Sequence, residues 1–254
     1  MSKTHLVIPD PHAHPDYSNE RFDWLAKLII DIKPDVVINL GDHFDMPSLS
    51  GYDKGTKGFE GRRFVKDIAC GIEAHERMWE PVKRTKKKLP YRVVLEGNHE
   101  QRLKRAVNSS PELDGAISFD QFQFRDWYDD VVEYEGNTPG SVVVDGVCYA
   151  HYHISGVAGR PISGEHAAYS LLTKQYSSCT AGHLHTVDYC VRTNAEGKPI
   201  HGLVAGVFQD YVSGWAGKAN ELWWRGVVVK RGVHEGSYDP QFISLDQLRK
   251  EYGS

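Results

Sequence analysis

The stretch Val36-Val-Ile-Asn-Leu-Gly-Asp-His-Phe-Asp45 decides how the rest of the chain is read. Five mostly apolar residues run into Gly41 and then into two aspartates three positions apart. A short apolar run of this kind predicts a strand buried on both faces. The glycine at its end permits a sharp turn, setting Asp42 and Asp45 at the carboxyl edge of a sheet. Open α/β sheets keep their ligand sites at that edge. Two carboxylates held there repel unless a cation or an imidazolium lies among them. Asp42 therefore reads as a metal bridge, with its partners to come from other strand ends.

Upstream, residues 4–8 read as a strand ended by Pro9 and followed at once by Asp10-Pro-His12. Phe22, Leu25, Leu28, Ile29 and Ile32 fall at helical spacing, with Ser18 or Asn19 as cap and Pro34 as stop. Strand, helix, strand with short links predicts a parallel, right-handed unit. Downstream, residues 46–61 hold Gly51, Gly55, Gly58 and Gly61 and few large aliphatics, which predicts a long loop beside the site. Helical spacing resumes from Arg62 to Trp79 and closes in Lys83-Arg-Thr-Lys-Lys-Lys88. That basic run reads as a solvated helix end whose charge suits the dipole, with a polyanion-binding patch as the second reading.

A third strand over residues 91–95 leads into Gly97-Asn-His-Glu100 and a short helix over 102–107. After an aromatic-rich segment the texture turns to short β runs at 131–134, 142–144, 147–151, 178–181, 187–192, 201–207 and 223–230. A helix over 166–175 interrupts them and another over 244–252 closes the chain. No linker or repeat divides it, so residues 1–254 read as one domain.

The formal net charge of -4 carries no whole-chain nucleic-acid signature, although a local basic patch is compatible with it. Cys70, Cys148, Cys179 and Cys190 show no C-x-x-C spacing, and Cys148 and Cys179 read as small buried hydrophobes. No stretch approaches 18 apolar residues, so no membrane association and a cytoplasmic location are expected.

The polar residues at the strand ends are Asp10, His12, Asp42, Asn98, His99, His151, His183 and His185. All but His99 are ligand types for a borderline divalent ion. Alternate residues of an extended chain point to one side, so Asp10-Pro-His12 and His183-Leu-His185 can each direct two ligands at one site. Each segment is common alone, yet each directly follows an apolar run, and that joint pattern carries the weight.

As an ordered set, Asp10-Pro-His12, Gly41-Asp-His-Phe-Asp45, Gly97-Asn-His-Glu100, His151 and Gly182-His-Leu-His185 resemble the calcineurin-like metallophosphoesterase signature. The resemblance implies an α/β fold, a four-layer αββα sandwich of two mixed sheets flanked by helices. It implies two divalent ions, manganese foremost and iron, zinc or nickel as alternatives. Asp10, His12 and His185 would hold one, Asn98, His151 and His183 the other, with Asp42 bridging. His99 would be the acid near the leaving group, oriented by Asp45, and Asn98 would contact the phosphate, while Arg102 reads by itself either as a bidentate phosphate clamp or as a helix-surface arginine. The implied activity is hydrolysis of a phosphomonoester or phosphodiester by a metal-bridging hydroxide, in the manner of a phosphatase, phosphodiesterase or nuclease. The chain is also similar to phage phosphoesterases.

Met46-Pro47 stands where the protein serine/threonine phosphatases of this superfamily carry Arg-Gly, which weakens that alternative. The other alternative is a non-catalytic scaffold, disfavoured because every ligand position is filled. His153 rivals His151, while His14 and His43 lie near the site by sequence alone. The loop 46–61, Arg62-Arg63, the basic run and Trp215, Trp223 and Trp224 could line a groove for single-stranded nucleic acid. Core packing is the preferred reading of those tryptophans. The oligomeric state is left open.

Overall fold

The computed structural model describes residues 2–52, 54–85 and 88–253. In chain order the first half runs β1 (Lys3–Ile8), α1 (Glu20–Ile32), β2 (Val36–Asn39), α2 (Phe64–Arg84), β3 (Tyr91–Leu95), α3 (Gln101–Ser109), α4 (Phe124–Trp127) and β4 (Asp130–Val132). The second half runs β5 (Ser141–Val144), β6 (Val147–Ala150), β7 (Ile154–Ser155), β8 (Arg160–Pro161), α5 (Ala167–Gln175) and β9 (Cys179–Ala181). It closes with β10 (Val187–Thr193), β11 (Pro199–Ala205), β12 (Gly226–His234), β13 (Ser237–Ser244) and α6 (Leu245–Tyr252).

Two mixed sheets result. One has the order β13-β12-β1-β2-β3-β4, parallel from β1 to β4 and antiparallel at β12 and β13. The other has the order β10-β11-β9-β6-β5, parallel through β11, β9 and β6. The two-residue period of a strand explains the layering. Leu6, Ile8, Val37, Val227 and Val229 face the helical side with Phe22 and Trp79. Their neighbours Val7, Val36, Ile38 and Val228 face the other sheet, meeting Tyr149, Leu203 and Ala205. On the far side Cys179, Ala181 and Val204 pack under Ala167 and Leu171 of α5. Three apolar seams thus separate four layers, the expected αββα sandwich.

Several local expectations shift. β13 and the small β7–β8 hairpin had no counterpart in the sequence reading. Asn19 makes no side-chain cap. It donates instead to Cys70 O at 2.9 Å and to Glu73, while Ser18 Oγ accepts from Glu20 N–H at 3.1 Å. The aromatic-rich segment becomes 3-10 turns plus α4, with Phe122 and Phe124 buried against Phe44.

α2 connects β2 to the parallel β3, so it must run back along the sheet. At 21 residues it spans about 30 Å. Its first turn lies near the carboxyl ends of the strands and its last near their amino ends. There Lys88 lines a cavity with Lys3, Lys33 and Tyr91. Of the basic run, Lys83, Arg84 and Lys88 thus lie at the opposite end of the sheet from Asp42 and among the described residues line no cavity with it. Lys86 and Lys87 lie outside the described residues.

Candidate metal centre

Asp10 and His12 follow β1, Asp42 and Asp45 follow β2, Asn98 and His99 follow β3, His151 follows β6, and His183 and His185 follow β9. The loops after β1 and β2 are laced together, His12 N–H donating to Asp42 O and Ala13 N–H to His43 O, both at 2.8 Å. In the second sheet Gly182 N–H donates to His151 O at 3.0 Å.

The strands stop short of the motifs, and turns aim the side chains. Asp10 (φ 41°), His12 (45°), Asp42 (50°), His183 (66°) and His185 (63°) all lie in the left-handed region. The expected extended D-x-H and H-x-H segments are thus replaced by strained turns. Such residues cost of order 1–3 kcal/mol each and gather at functional sites. Close glycines complete the fit. A Cβ on Gly97 would sit 2.1 Å from Asp42 Oδ1, and one on Gly182 2.4 Å from Asp10 Oδ1.

Two groups meet at Asp42. On one side His12 Nε2 lies 3.8 Å from Asp42 Oδ2 and 3.2 Å from His185 Nε2, itself 3.5 Å from Asp10 Oδ2. On the other, His151 Nε2 lies 3.4 Å from the same Asp42 oxygen and 2.9 Å from Asn98 Oδ1. His183 has a ring nitrogen within 4.8 Å of the facing atoms of Asp42 and His151. Asp42 Oδ1 accepts from His99 N–H at 2.8 Å, which leaves Oδ2 to face both groups.

The sequence model of the calcineurin-like phosphoesterases matches residues 4–240. The chain belongs to that family. It is similar to the gene 54 protein of Mycobacterium phage L5, at 30 % identity over 194 residues, covering 73 % of this chain and 70 % of that protein. Its fold also aligns with the crystal structure of TT1561 of Thermus thermophilus, at 10 % identity and a TM-score of 0.37, covering 95 % of this chain and 99 % of that one. Membership of the calcineurin-like phosphoesterases implies metal-dependent hydrolysis of phosphate esters.

The residues of this phosphoesterase fit divalent cations. Asp10 and Asp42 are fully buried, and among the described residues Asp10 Oδ1 has no hydrogen-bond partner. Burial and the charge of Asp42 push Asp10 up. Burial also pushes Asp42 up, but the rings of His151, His99 and His12 outweigh it and hold that carboxyl far below its ordinary range. Burial lowers His12, His151, His183 and His185, which favours the deprotonated rings whose lone pairs a metal would need. Two buried carboxylates disfavour each other's charge, and a bound cation would supply the positive charge that lets both Asp10 and Asp42 ionise.

Asp45 sets two rings. His12 Nδ1–H donates to Asp45 Oδ1 at 2.9 Å, which turns Nε2 toward Asp42 and His185. His99 Nδ1–H donates to Asp45 O at 2.6 Å and lies 3.2 Å from its Oδ1. His12, Asp45 and His99 therefore also cluster within 4.8 Å, but through hydrogen bonds. Arg102 donates from Nη1 to Asp45 O at 2.8 Å and Met46 O at 3.2 Å, and from Nη2 to His99 Nε2 at 3.0 Å.

Two contributors had no role in the sequence reading. Glu100 accepts from the N–H groups of Asp42 (3.0 Å), Gly97 (2.9 Å) and Phe44 (2.8 Å), clipping two motifs together. Fully buried Arg21 donates to Pro11 O at 2.7 Å, His12 O at 3.2 Å and Phe208 O at 3.0 Å, fastening the first motif to α1. Its signal was an arginine in register with the apolar stripe of Leu25 and Leu28.

Neighbouring histidines divide by orientation. His151 faces Asp42, whereas His153 Nε2 turns to Thr180 O at 3.3 Å. His43 does not reach the site. It stacks on His75 at 3.8 Å, donates to Gly71 O and accepts from Asn39 Nδ2. His14 lies 3.7 Å from Asp45 Oδ2 and lines the neighbouring cavity. Trp223 and Trp224 are partly buried, but Trp215 is 76 % exposed, contrary to the core packing expected of it. Among the described residues no helix is long and apolar enough to cross a membrane.

Proposed function

We propose that this chain hydrolyses phosphomonoesters or phosphodiesters at a dinuclear centre, with residues 1–254 acting as one domain because both sheets furnish ligands. The observation that carries the reading is that one oxygen, Asp42 Oδ2, faces His12 Nε2 at 3.8 Å and His151 Nε2 at 3.4 Å. Asp10, His12 and His185 would hold one ion, Asn98, His151 and His183 the other, and Asp42 both. We take manganese as the metal, since an Asp/Asn/His set without thiolate suits the harder first-row ions. When bound, the pair supplies Lewis-acid polarisation of the phosphate and lowers the pKa of water.

The chain's own groups do the rest. Asp45 holds Nδ1–H of His99, so Nε2 is the nitrogen left to pass a proton to the leaving oxygen. Asn98 and Arg102 lie in the same cavity as Asp42 and would position the phosphate. Arg102 also steadies the Asp45 and Met46 carbonyls. Asp42→Ala tests the reading. Elemental analysis should fall from two ions per chain, with turnover of an aryl phosphate abolished. An active variant that keeps two ions would refute the bridge.

A further inference from the structure

The rim of the centre carries aromatic surface that the fold does not need. Trp215 is 76 % exposed and Tyr52 94 % exposed. Both line one cavity of 410 Å³ with Asp42, Asn98, His183 and His185. That volume falls within the roughly 300–1,000 Å³ of small-ligand sites. An adjoining lobe of 240 Å³ shares His99, Arg102 and Trp215 and adds Tyr17, which stacks on Tyr211 at 3.9 Å and 3°.

Trp215 is held in place. Its ring meets Trp223 at 5.8 Å, and Trp223 stands edge-on to His185 at 4.3 Å. Its segment, Gly214–Leu222, is clamped by Asn220. That side chain accepts from Ser213 N–H at 3.1 Å and donates to Ser213 O at 2.8 Å and Gly217 O at 2.9 Å. A fixed indole in water, opening on the cavity of the metal ligands, is a ready stacking face. Every nucleobase has a flat face that stacks on such a platform with little sequence preference. Separation matters as well. Trp223 stands between Trp215 and His185, so the platform borders the ligand ring without touching it through a ring contact of its own. A nucleobase, held off its phosphate by a sugar, satisfies that spacing.

We propose that Trp215, with Tyr52, forms a stacking platform for the nucleobase of a nucleotidyl phosphate ester. This rests on the phosphoesterase reading and makes nucleotides or single-stranded nucleic acid its substrate class. Manganese-loaded protein is titrated by intrinsic fluorescence with adenosine 5′-phosphorothioate, ribose 5-phosphorothioate, phosphotyrosine and tetrathymidylate. The adenosine compound should bind roughly 5- to 150-fold tighter than its base-free analogue, the range of one stacked base. Trp215→Ala should remove most of that difference, and Trp215→Phe, which keeps a flat ring, should restore part of it.

Equal binding of the two analogues by wild type, or a difference that survives Trp215→Ala, would overturn the platform. So would equal, Trp215-dependent binding of phosphotyrosine. Trp215-dependent tetrathymidylate binding tighter than the mononucleotide's assigns the platform to a strand, and weaker binding assigns it to free nucleotides. Turnover of a nitrophenyl ester without base dependence would remove only the platform. Base-dependent binding without any ester turnover would remove only the hydrolytic reading.

Discussion

Arg102 Nη2 lies 3.0 Å from His99 Nε2. Because Nδ1–H of His99 is committed to Asp45, Nε2 carries the lone pair and the guanidinium covers it. The nitrogen proposed to serve the leaving group is thus covered by a cation. A phosphate ester can draw that cation away while Nη1 stays on the carbonyls of Asp45 and Met46. Phosphate binding would then free Nε2 to take up the proton that it passes to the leaving oxygen.

If His99 is the proton donor, its value depends on how poorly the leaving group departs. Nitrophenolate leaves unaided, whereas an alkoxide must be protonated as its bond to phosphorus breaks. His99→Gln should keep both ions and lose about 10²–10⁴-fold more activity on an alkyl ester than on a nitrophenyl ester. The check is kcat on both esters beside metal content. Equal losses, or loss of an ion, would make His99 a ligand or phosphate-binding group instead.

Gly182→Ala should damage metal binding before it damages the fold. The added Cβ would lie 2.4 Å from Asp10 Oδ1 and push that carboxylate from its place. Elemental analysis should show fewer than two ions per chain, with far-ultraviolet circular dichroism unchanged. Full metal content would show that the cradle yields more easily than its packing implies.

Gly71→Ala reverses the usual helix arithmetic. In a free helix alanine gains about 1 kcal/mol over glycine. Here its Cβ would sit 2.0 Å from the ring of Phe44, buried between the metal-site loop and α2. Overpacking of this kind costs about 1–3 kcal/mol, so urea unfolding should show net destabilisation. Phe44→Leu in the same chain should recover part of it.

His75 should make the fold acid-sensitive. Both ring nitrogens are buried with no hydrogen-bond partner among the described residues, and burial, then the neighbouring His43, holds its pKa well below the ordinary 6.5. Below about pH 6.5 the unfolded chain takes up a proton that the folded chain refuses, so stability is full above that pH and falls as pH drops. His75→Phe should flatten the dependence between pH 6 and 5 by up to about 1.4 kcal/mol per unit, one proton's worth. Urea midpoints for wild type and variant across that range measure it. Parallel curves would count against a neutral buried ring.

What the sequence determined by itself is local. The apolar runs 36–40 and 91–95 announce buried strands. The polar residues that follow them announce a ligand edge, because a strand's two-residue period and the turn that ends it are properties of neighbouring residues. Tertiary structure decided what depends on distant partners. His151 rather than His153 faces Asp42 because the loop after β6 is tied to Gly182 across the second sheet. His43 turns into the core because His75 of α2 offers a stacking face. Lys83 and Arg84 are remote from the site because α2 must run back along the sheet to reach a parallel β3. Trp215 stays in water because Asn220 clamps its segment over the rim. Composition cannot show that orientation, since an indole packs as readily into a core as onto a ligand.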